Sequence, residues 1–309
     1  MWAVRLADFG IEHIQVEEVS DPVAGAGEVL IATEAATINP ADMAVVSGAA
    51  AAGFPPSLRA PYTPGWDLAG RVVAVGDGVD SSLQGARVIG FSPWFGAGHG
   101  TQASLVALPV SQIAVAPEGL PSAHLTTIGL NGLTAWRAIN ELDPLPGETL
   151  VITGAAGSVG GFALELAVAR KARVIAAVHA RDRDAMLALG ASAVAATDEG
   201  GVAKAVRTIL PDGADALLDT ASLAGATLGA IRDGGRYVTT TVAPASERDI
   251  RVTMIYGRAD AAALATLIEM VTSGRLHTPV AREVPVSQAR AAYEEFASGP
   301  HRGRIVLTF

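Results

Sequence analysis

Leu150-Val151-Ile152-Thr153-Gly154-Ala155-Ala156-Gly157-Ser158-Val159-Gly160-Gly161 decides how the chain is read. An apolar run ends at Thr153, small residues follow, and Val159, Phe162, Ala163 and Leu166 then recur at helical spacing. The order is strand, tight turn, helix. Small side chains let a backbone approach a pyrophosphate, and a new helix offers unpaired N–H groups with the positive end of its dipole. The pattern Ala155-x-Gly157-x-x-Gly160 is the dinucleotide fingerprint with alanine in place of its first glycine. Working outward, apolar runs at 150–153, 173–178, 192–195, 214–219, 235–241 and 250–255 alternate with helical segments. Such alternation predicts a parallel, doubly wound sheet, and so an α/β fold.

The N-terminal part reads differently. Over residues 1–120, short β-type runs recur at Trp2–Leu6, His13–Glu18, Glu28–Ala36, Gly70–Val75, Arg87–Phe91 and Gln102–Ala107, punctuated by proline and glycine. They predict an all-β, barrel-like unit. Ser47–Pro61 is rich in Ala, Gly and Pro and reads as a loop, either a flap over a site or plain surface. Residues 121–140 are helical, with Leu125, Ile128, Leu133 and Trp136 on one side. Ala261–Thr272 is helical up to Gly274. The tail carries an extended run Val280–Val286, a helix near Ser287–Ala297 and a last strand Arg304–Phe309. The expected organisation is a barrel domain over 1–122 and 275–309, interrupted by a nucleotide-binding domain over 123–274.

Composition narrows the function classes. With 309 residues, half of them hydrophobic, about two domains with sizeable cores are expected. A net charge of −9 and the lack of a basic stripe exclude a nucleic-acid partner. The absence of cysteine removes disulfides, thiolate nucleophiles and cysteine-bound metals. No apolar run is long enough to span a bilayer, and no export leader opens the chain, so the expectation is a cytoplasmic protein with no membrane partner. His13, His99, His124, His179, His277 and His301 show no ligand spacing, and no metal is expected.

The second strand of the nucleotide unit, ending at Val178, carries no carboxylate at its end, where an NAD-type site holds the ribose 2′-hydroxyl. His179-Ala180-Arg181-Asp182-Arg183 follows. Arg181 and Arg183 suit a 2′-phosphate, because a guanidinium makes paired, charge-assisted bonds, and they favour NADPH; Asp182 could still reach the ribose. The candidate cofactor contacts are Asn39, Thr134, Ala156, Gly157, Ser158, Val159, His179, Arg181, Arg183, Thr220, Thr240, Thr241 and Tyr256.

Several motifs, in order along nearly the whole chain, carry a family likeness. They are Asn39-Pro40-Ala41-Asp42, Pro61-Tyr62-Thr63-Pro64-Gly65-Trp66-Asp67-Leu68-Ala69-Gly70, Gly132-Leu133-Thr134-Ala135-Trp136, Ala155–Gly160, Asp219, Gly234-Gly235-Arg236 and Gly303-Arg304-Ile305-Val306-Leu307. The chain resembles the zinc-independent medium-chain dehydrogenases/reductases, in particular the NADPH:quinone oxidoreductase-like branch. The resemblance implies a GroES-like β-barrel interrupted by a Rossmann domain, and a homodimer. It also implies hydride transfer from NADPH to a quinone, enone or similar activated carbonyl. It puts Asn39 beside the nicotinamide and makes Asn39, Asp42 and Tyr62 the catalytic candidates, Asp42 more as an orienting group. Tyr62, Trp66, Trp94 and His99 become candidate pocket walls. Zinc-dependent cousins carry Gly-His-Glu where Gly65-Trp66-Asp67 stands, which argues against zinc here. The branch's Arg-x-Gly-x-Tyr is replaced by Val46-Ser47-Gly48-Ala49-Ala50, so a tyrosine proton donor is missing from that place.

Three other readings stand beside this one. A nucleotide-binding sensor with little turnover fits the missing Arg/Tyr pair. A serine hydrolase would use Ser158, Asp219 and His277, but its elbow wants glycine at Ala156. A short-chain dehydrogenase needs a Tyr–Lys pair four residues apart, and none of Tyr62, Tyr237, Tyr256 or Tyr293 has one.

Overall fold

The computed structural model describes residues 1–97, 99–198, 200–299 and 302–309; the expectation for His301 lies outside them. In chain order the elements are β1 (Trp2–Leu6), β2 (Ile14–Glu18), β3 (Glu28–Thr37), α1 (Pro40–Val46), β4 (Asp67–Val75), β5 (Arg87–Phe91), α2 (Trp94–Ala97), β6 (Leu105–Pro109), β7 (Ile113–Val115) and α3 (Ser122–Thr126). After a π-helical turn at Ile128–Gly132 come α4 (Leu133–Leu142), β8 (Thr149–Thr153), α5 (Ser158–Ala169), β9 (Arg173–Val178), α6 (Arg183–Ala188), β10 (Ala193–Ala196), α7 (Gly201–Ile209), β11 (Ala214–Asp219), β12 (Ile231–Thr239) and β13 (Arg251–Met254). The chain closes with α8 (Ala261–Thr272), β14 (Val280–Pro285), α9 (Ala289–Ala297) and β15 (Arg304–Thr308).

Two compact units result. The first comprises Met1–Leu133, Arg258–Gly274 and Thr278–Phe309; the second comprises Thr134–Gly257 and Arg275–His277. The sequence expectation placed 123–274 with the nucleotide domain. Instead α3, the π-turn and α8 belong to the β-rich unit, because α3 packs on β3 and β4 while α8 packs on β7 and the π-turn.

In the first unit a seven-stranded sheet runs β14-β15-β3-β4-β5-β7, with β6 also paired to β3. β3 is its spine. Alternation of buried and half-buried residues along Glu28–Thr37 puts Val29, Ile31 and Ala35 into the core. β14 and β15 are parallel, as they must be with the helical crossover α9 between them. The loop over 47–61 forms one short 3₁₀ turn, Ala51–Gly53.

The second unit carries six parallel strands in the order β10-β9-β8-β11-β12-β13. β8 is buried along its whole length, as a strand covered on both faces requires. The order reverses between β8 and β11, the place where ligands of such sheets gather at the strands' carboxyl ends.

A buried polar knot ties the first unit together. The Asp67 carboxylate, wholly buried, accepts bonds from the Thr37 amide (3.1 Å) and hydroxyl, Asn39 Nδ2 (3.2 Å), Thr126 Oγ1 (3.4 Å) and the Leu130 amide (3.2 Å). Asp42 accepts from the amides of Asn39 and Gly65, each at 2.8 Å. Burial, then the Asp67 charge, pushes the Asp42 carboxyl up to about 8, against the pull of those amide donors. The ordinary value is 3.8, so the unfolded chain ionises first as the pH rises. The stability Asp42 contributes is therefore complete below about pH 4 and lost as the pH climbs to about 8. The expected outcome is a lower thermal midpoint at pH 8 than at pH 5, equivalent to on the order of a few kcal/mol. Asp42→Asn, less stable at pH 5, should flatten that slope in a pH series of melts; a slope that survives unchanged would contradict the assignment.

Candidate nucleotide cleft and the buried knot of the barrel unit

The turn after β8 is built for a close approach. α5 begins at Ser158 with Gly157 as its N-cap, and no side chain caps it. Its first-turn N–H groups therefore point out of the helix without a side-chain acceptor. Ser158 is buried, and its hydroxyl has no protein partner. Gly160 is fixed by the fold: a Cβ there would stand 2.3 Å from the Gly154 carbonyl oxygen. Gly157 is exposed, and a Cβ there would meet only the Gly154 oxygen, at 3.2 Å. The protein itself hardly forbids a side chain at 157; the open ground in front of α5 is what one would fill. These groups fit a pyrophosphate, with the first-turn amides of α5, at Ser158 and Val159, as its seat.

A cleft of about 510 Å³ opens beside this turn. Gly154, Ala156, His179, Asp182, Thr197 and Thr227 are among its lining residues. Of the expected cofactor contacts, Ala156 and His179 thus line the cleft, whereas Gly157, the N-cap of α5, and Ser158 and Val159 in its first turn are not among the lining residues. Arg181 and Arg183 are exposed and outside the lining; Arg181 Nε lies 3.8 Å from Asp182 Oδ2. Thr220 is half-buried, and its hydroxyl donates to the Thr153 carbonyl at 2.7 Å. Thr240 and Thr241 follow β12, Tyr256 is exposed after β13, and Thr134 is buried in the first turn of α4; none of the four lines this cleft.

Sequence reasoning missed Asp198. Val178 at the end of β9 pairs with Ala196 at the end of β10, and the Thr197 amide continues the ladder to the Val178 carbonyl. The residues that follow each strand are thereby side by side. Asp198 Oδ2 accepts the Ala180 amide at 2.7 Å, and Oδ1 lies 3.0 Å from His179 Nδ1. These bonds, the amide first, hold its carboxyl below the usual range. A carboxylate does stand at the end of β9, delivered by the neighbouring strand.

Asp219, at the end of β11, is buried and saturated. It accepts from Thr153 Oγ1 (2.6 Å), the Tyr237 hydroxyl (2.9 Å) and the amides of Ala221, Leu223 and Ala224 (2.8–3.0 Å). His277 bonds Glu165 instead, Nδ1 to Oε1 at 2.5 Å. The Ser158, Asp219 and His277 of the hydrolase reading are therefore not a hydrogen-bonded triad.

In the first unit, Asn39 is wholly buried and its side chain is fully engaged. Nδ2 donates to Thr37 Oγ1 (2.8 Å) and Asp67, and Oδ1 accepts from Asn131 Nδ2 (3.1 Å). Arg304 in turn reaches Asn131 Oδ1 at 2.6 Å. Tyr62 belongs to an aromatic cluster instead. Its ring lies 6.0 Å from Phe9, 5.4 Å from Phe54 and 6.4 Å from Trp94, and Phe95 sits 5.1 Å from Trp66. Trp94 donates its indole N–H to the Thr63 carbonyl, whereas the buried Trp66 N–H has no protein partner. Among the described residues no group of three or more His, Cys, Asp or Glu side chains is arranged to hold a metal ion. No described helix is long and apolar enough to cross a membrane.

Comparison with known proteins agrees with this geometry. Residues 25–118 match the alcohol dehydrogenase GroES-like domain, and residues 189–307 match the zinc-binding dehydrogenase family. Quinone-oxidoreductase QR1, chloroplastic, of Triphysaria versicolor is 28% identical over 96% of this chain and 94% of that protein. An alcohol dehydrogenase of a Moraxella species (strain TAE123) is 26% identical over 100% of this chain and 99% of its own. The quinone oxidoreductase structure from Coxiella burnetii shares the fold, with a TM-score of 0.88 at 23% identity, covering 100% of this chain and 99% of that one. The chain belongs to the medium-chain dehydrogenase/reductase superfamily, oxidoreductases that use nicotinamide cofactors, and is similar to its quinone oxidoreductase-like branch.

Proposed function

We propose that this protein is an NADPH-dependent reductase that delivers hydride to a quinone, an enone or a similarly activated carbonyl, acting as a cytoplasmic homodimer without a metal. The observation that carries the reading is the uncapped N-terminus of α5 behind a glycine turn, beside a cleft at the point where the strand order reverses. The nicotinamide cofactor supplies the hydride; this chain's residues bind, orient and exclude water. Ala156, Gly157, Ser158 and Val159 would hold the pyrophosphate. His179, Arg181 and Arg183 would meet the 2′-phosphate. Thr134, Thr220, Thr240, Thr241 and Tyr256 are the remaining proposed contacts; the last three follow strand ends, where the nicotinamide half belongs.

The aromatic cluster around Tyr62 supports a flat, unsaturated acceptor, because offset and edge-on rings bind such molecules well. As hydride arrives, negative charge grows on the acceptor oxygen, and donors close to it matter most. Asn39 and Asp42 serve here as the rigid support of that wall, since all their polar atoms are engaged. Tyr62 is the acceptor-facing candidate.

Loss of absorbance from reduced nicotinamide, with NADPH and NADH side by side, tests the reading against a small quinone, an enone and a simple aldehyde. NADPH-dependent turnover is expected; NADPH binding without turnover across the panel would favour a sensor. Gly157→Val should leave the melting curve within a few degrees of the parent and weaken cofactor binding at least tenfold, because the fold tolerates a side chain at 157 and a pyrophosphate would not. Unchanged affinity would remove the pyrophosphate from this turn. Arg183→Glu should weaken NADPH far more than NADH in a fluorescence titration; equal losses would end its phosphate role.

A further inference from the structure

The loop after β10 and the loop after β9 share one small surface, and the sequence of neither explains the other. The two strands are parallel and in register up to Ala196 and Val178. Beyond them, the turn His179–Asp182 offers the Ala180 amide and the His179 imidazole as donors. Both are taken by a single carboxylate, Asp198, at 2.7 and 3.0 Å. That carboxylate is about half exposed, as is the imidazole, so the pairing is accessible to a ligand rather than sealed in the core. His179 also lines the cleft, next to Thr197, so the bonded group lies at the cleft's edge.

An amide and an imidazole at the first turn past a strand are the kind of donors an anion takes. Here the protein's own anion already holds them. We infer that Asp198 occupies the seat a ribose 2′-phosphate would use, and that it makes the cleft discriminate weakly between the two nicotinamide cofactors instead of selecting NADPH strongly. This rests on the cofactor reading given above and refines it. Arg181 and Arg183 in the same turn attract a phosphate, while Asp198 repels it and competes for its donors. Asp182 and Asp184 add negative charge from the turn and from α6, and Lys204 of α7, whose side chain lies against Gly200, adds a cation near the loop after β10. A 2′-hydroxyl meets no such conflict: it donates to a carboxylate.

The size of the effect follows from electrostatics at a wet surface. One carboxylate a few ångströms from a phosphate of nearly two negative charges costs about tenfold in affinity, and less as salt rises. Asp198→Asn is the informative change, because an amide oxygen still accepts the Ala180 N–H while the charge is gone.

Calorimetric titration of the full chain with ADP-ribose and with 2′-phospho-ADP-ribose reads this directly, without turnover. In the parent protein the two Kd values should lie within about tenfold of each other. Asp198→Asn should tighten 2′-phospho-ADP-ribose by about tenfold and move ADP-ribose by less than twofold, with the gain shrinking at high salt. Asp198→Ala, which also gives up the backbone bond, should tighten the phosphorylated ligand as well if charge is the cause. An unchanged or weakened 2′-phospho-ADP-ribose in the Asp198→Asn protein, with ADP-ribose still bound, would overturn the role of Asp198 alone. Failure of the parent and both variants to bind either ligand would overturn the cofactor reading, and this inference with it.

Discussion

The buried carboxylate of Asp67 is the constraint on which the barrel unit depends. Taking an ionised group out of water costs several kcal/mol unless donors replace the lost hydration. Asp67 collects such donors from β3, from the chain just after it, from α3 and from the π-turn. Burial still pushes its carboxyl up, so the bonds do not fully restore what water supplied. Each donor is thereby fixed relative to β4. Asn39 is locked as a link between Asp67 and Asn131, and Arg304 closes the chain of contacts from β15. The same geometry sets Asp42 within reach of the Asp67 charge and places its two amide donors, so the N-terminus of α1 and the Pro64–Gly65 turn are held together. Gln102 extends the knot: it donates to the Thr37 carbonyl and accepts the buried Tyr293 hydroxyl.

Asp219 does the parallel work in the nucleotide unit. It sits at the end of β11 beside the strand that carries the glycine turn, and its bond to Thr153 joins the two strand ends. Its three backbone donors then curl the residues after β11 into a tight turn. Ala221 and Leu223 of that turn line the cleft. One buried carboxylate thus shapes the wall facing the glycine turn, and an aspartate that invites a catalytic reading spends all its bonds on architecture. The Tyr237 hydroxyl, pushed well up by burial and then by the Asp219 charge, stays a donor to it at any ordinary pH.

Periodicity made much of this legible. The runs near 150, 173, 192, 214, 235 and 250 became the six parallel strands, because apolar runs of that length with short connections have few other ways to be buried. The glycine turn was readable because steric need leaves its mark on residue type. Partners brought together by the sheet left no such mark. Asp198 lies 19 residues from His179 and joins it only through the register of β9 and β10. In sequence the turn after β9 therefore shows Asp182 as its one carboxylate between two arginines, though in space it also holds Asp198. The same blindness affected α8. Its helical pattern was plain, but which unit its apolar face would cover depended on β7 and the π-turn, far away in sequence. Asn39 shows the reverse case: the motif was visible, while the saturation of its side chain required three partners from three separate stretches, Thr37, Asp67 and Asn131.

The departures from the branch's pattern have a common physical consequence. Where related reductases carry arginine and tyrosine after the Asn-Pro-x-Asp motif, this chain has small residues, and polar groups that could face an acceptor are lost. The aromatic side chains of Phe9, Phe54, Tyr62 and Phe95 remain, with Phe9 and Phe95 more than a third exposed. At the position of the zinc-dependent cousins' histidine stands Trp66, whose ring lies 5.1 Å from Phe95 and whose buried N–H has no protein acceptor. A wall that is mostly rings, with few hydrogen-bond donors, offers shape and dispersion rather than fixed polar recognition. Under the proposed function, such a wall would distinguish acceptors by flatness and size more than by their hydroxyl pattern, since a missing hydrogen bond discriminates strongly only where the site was built to make one. Under the proposed function the acceptor side would therefore be broad, held by rings, while the charged groups that face a cofactor's ribose belong to the nucleotide unit.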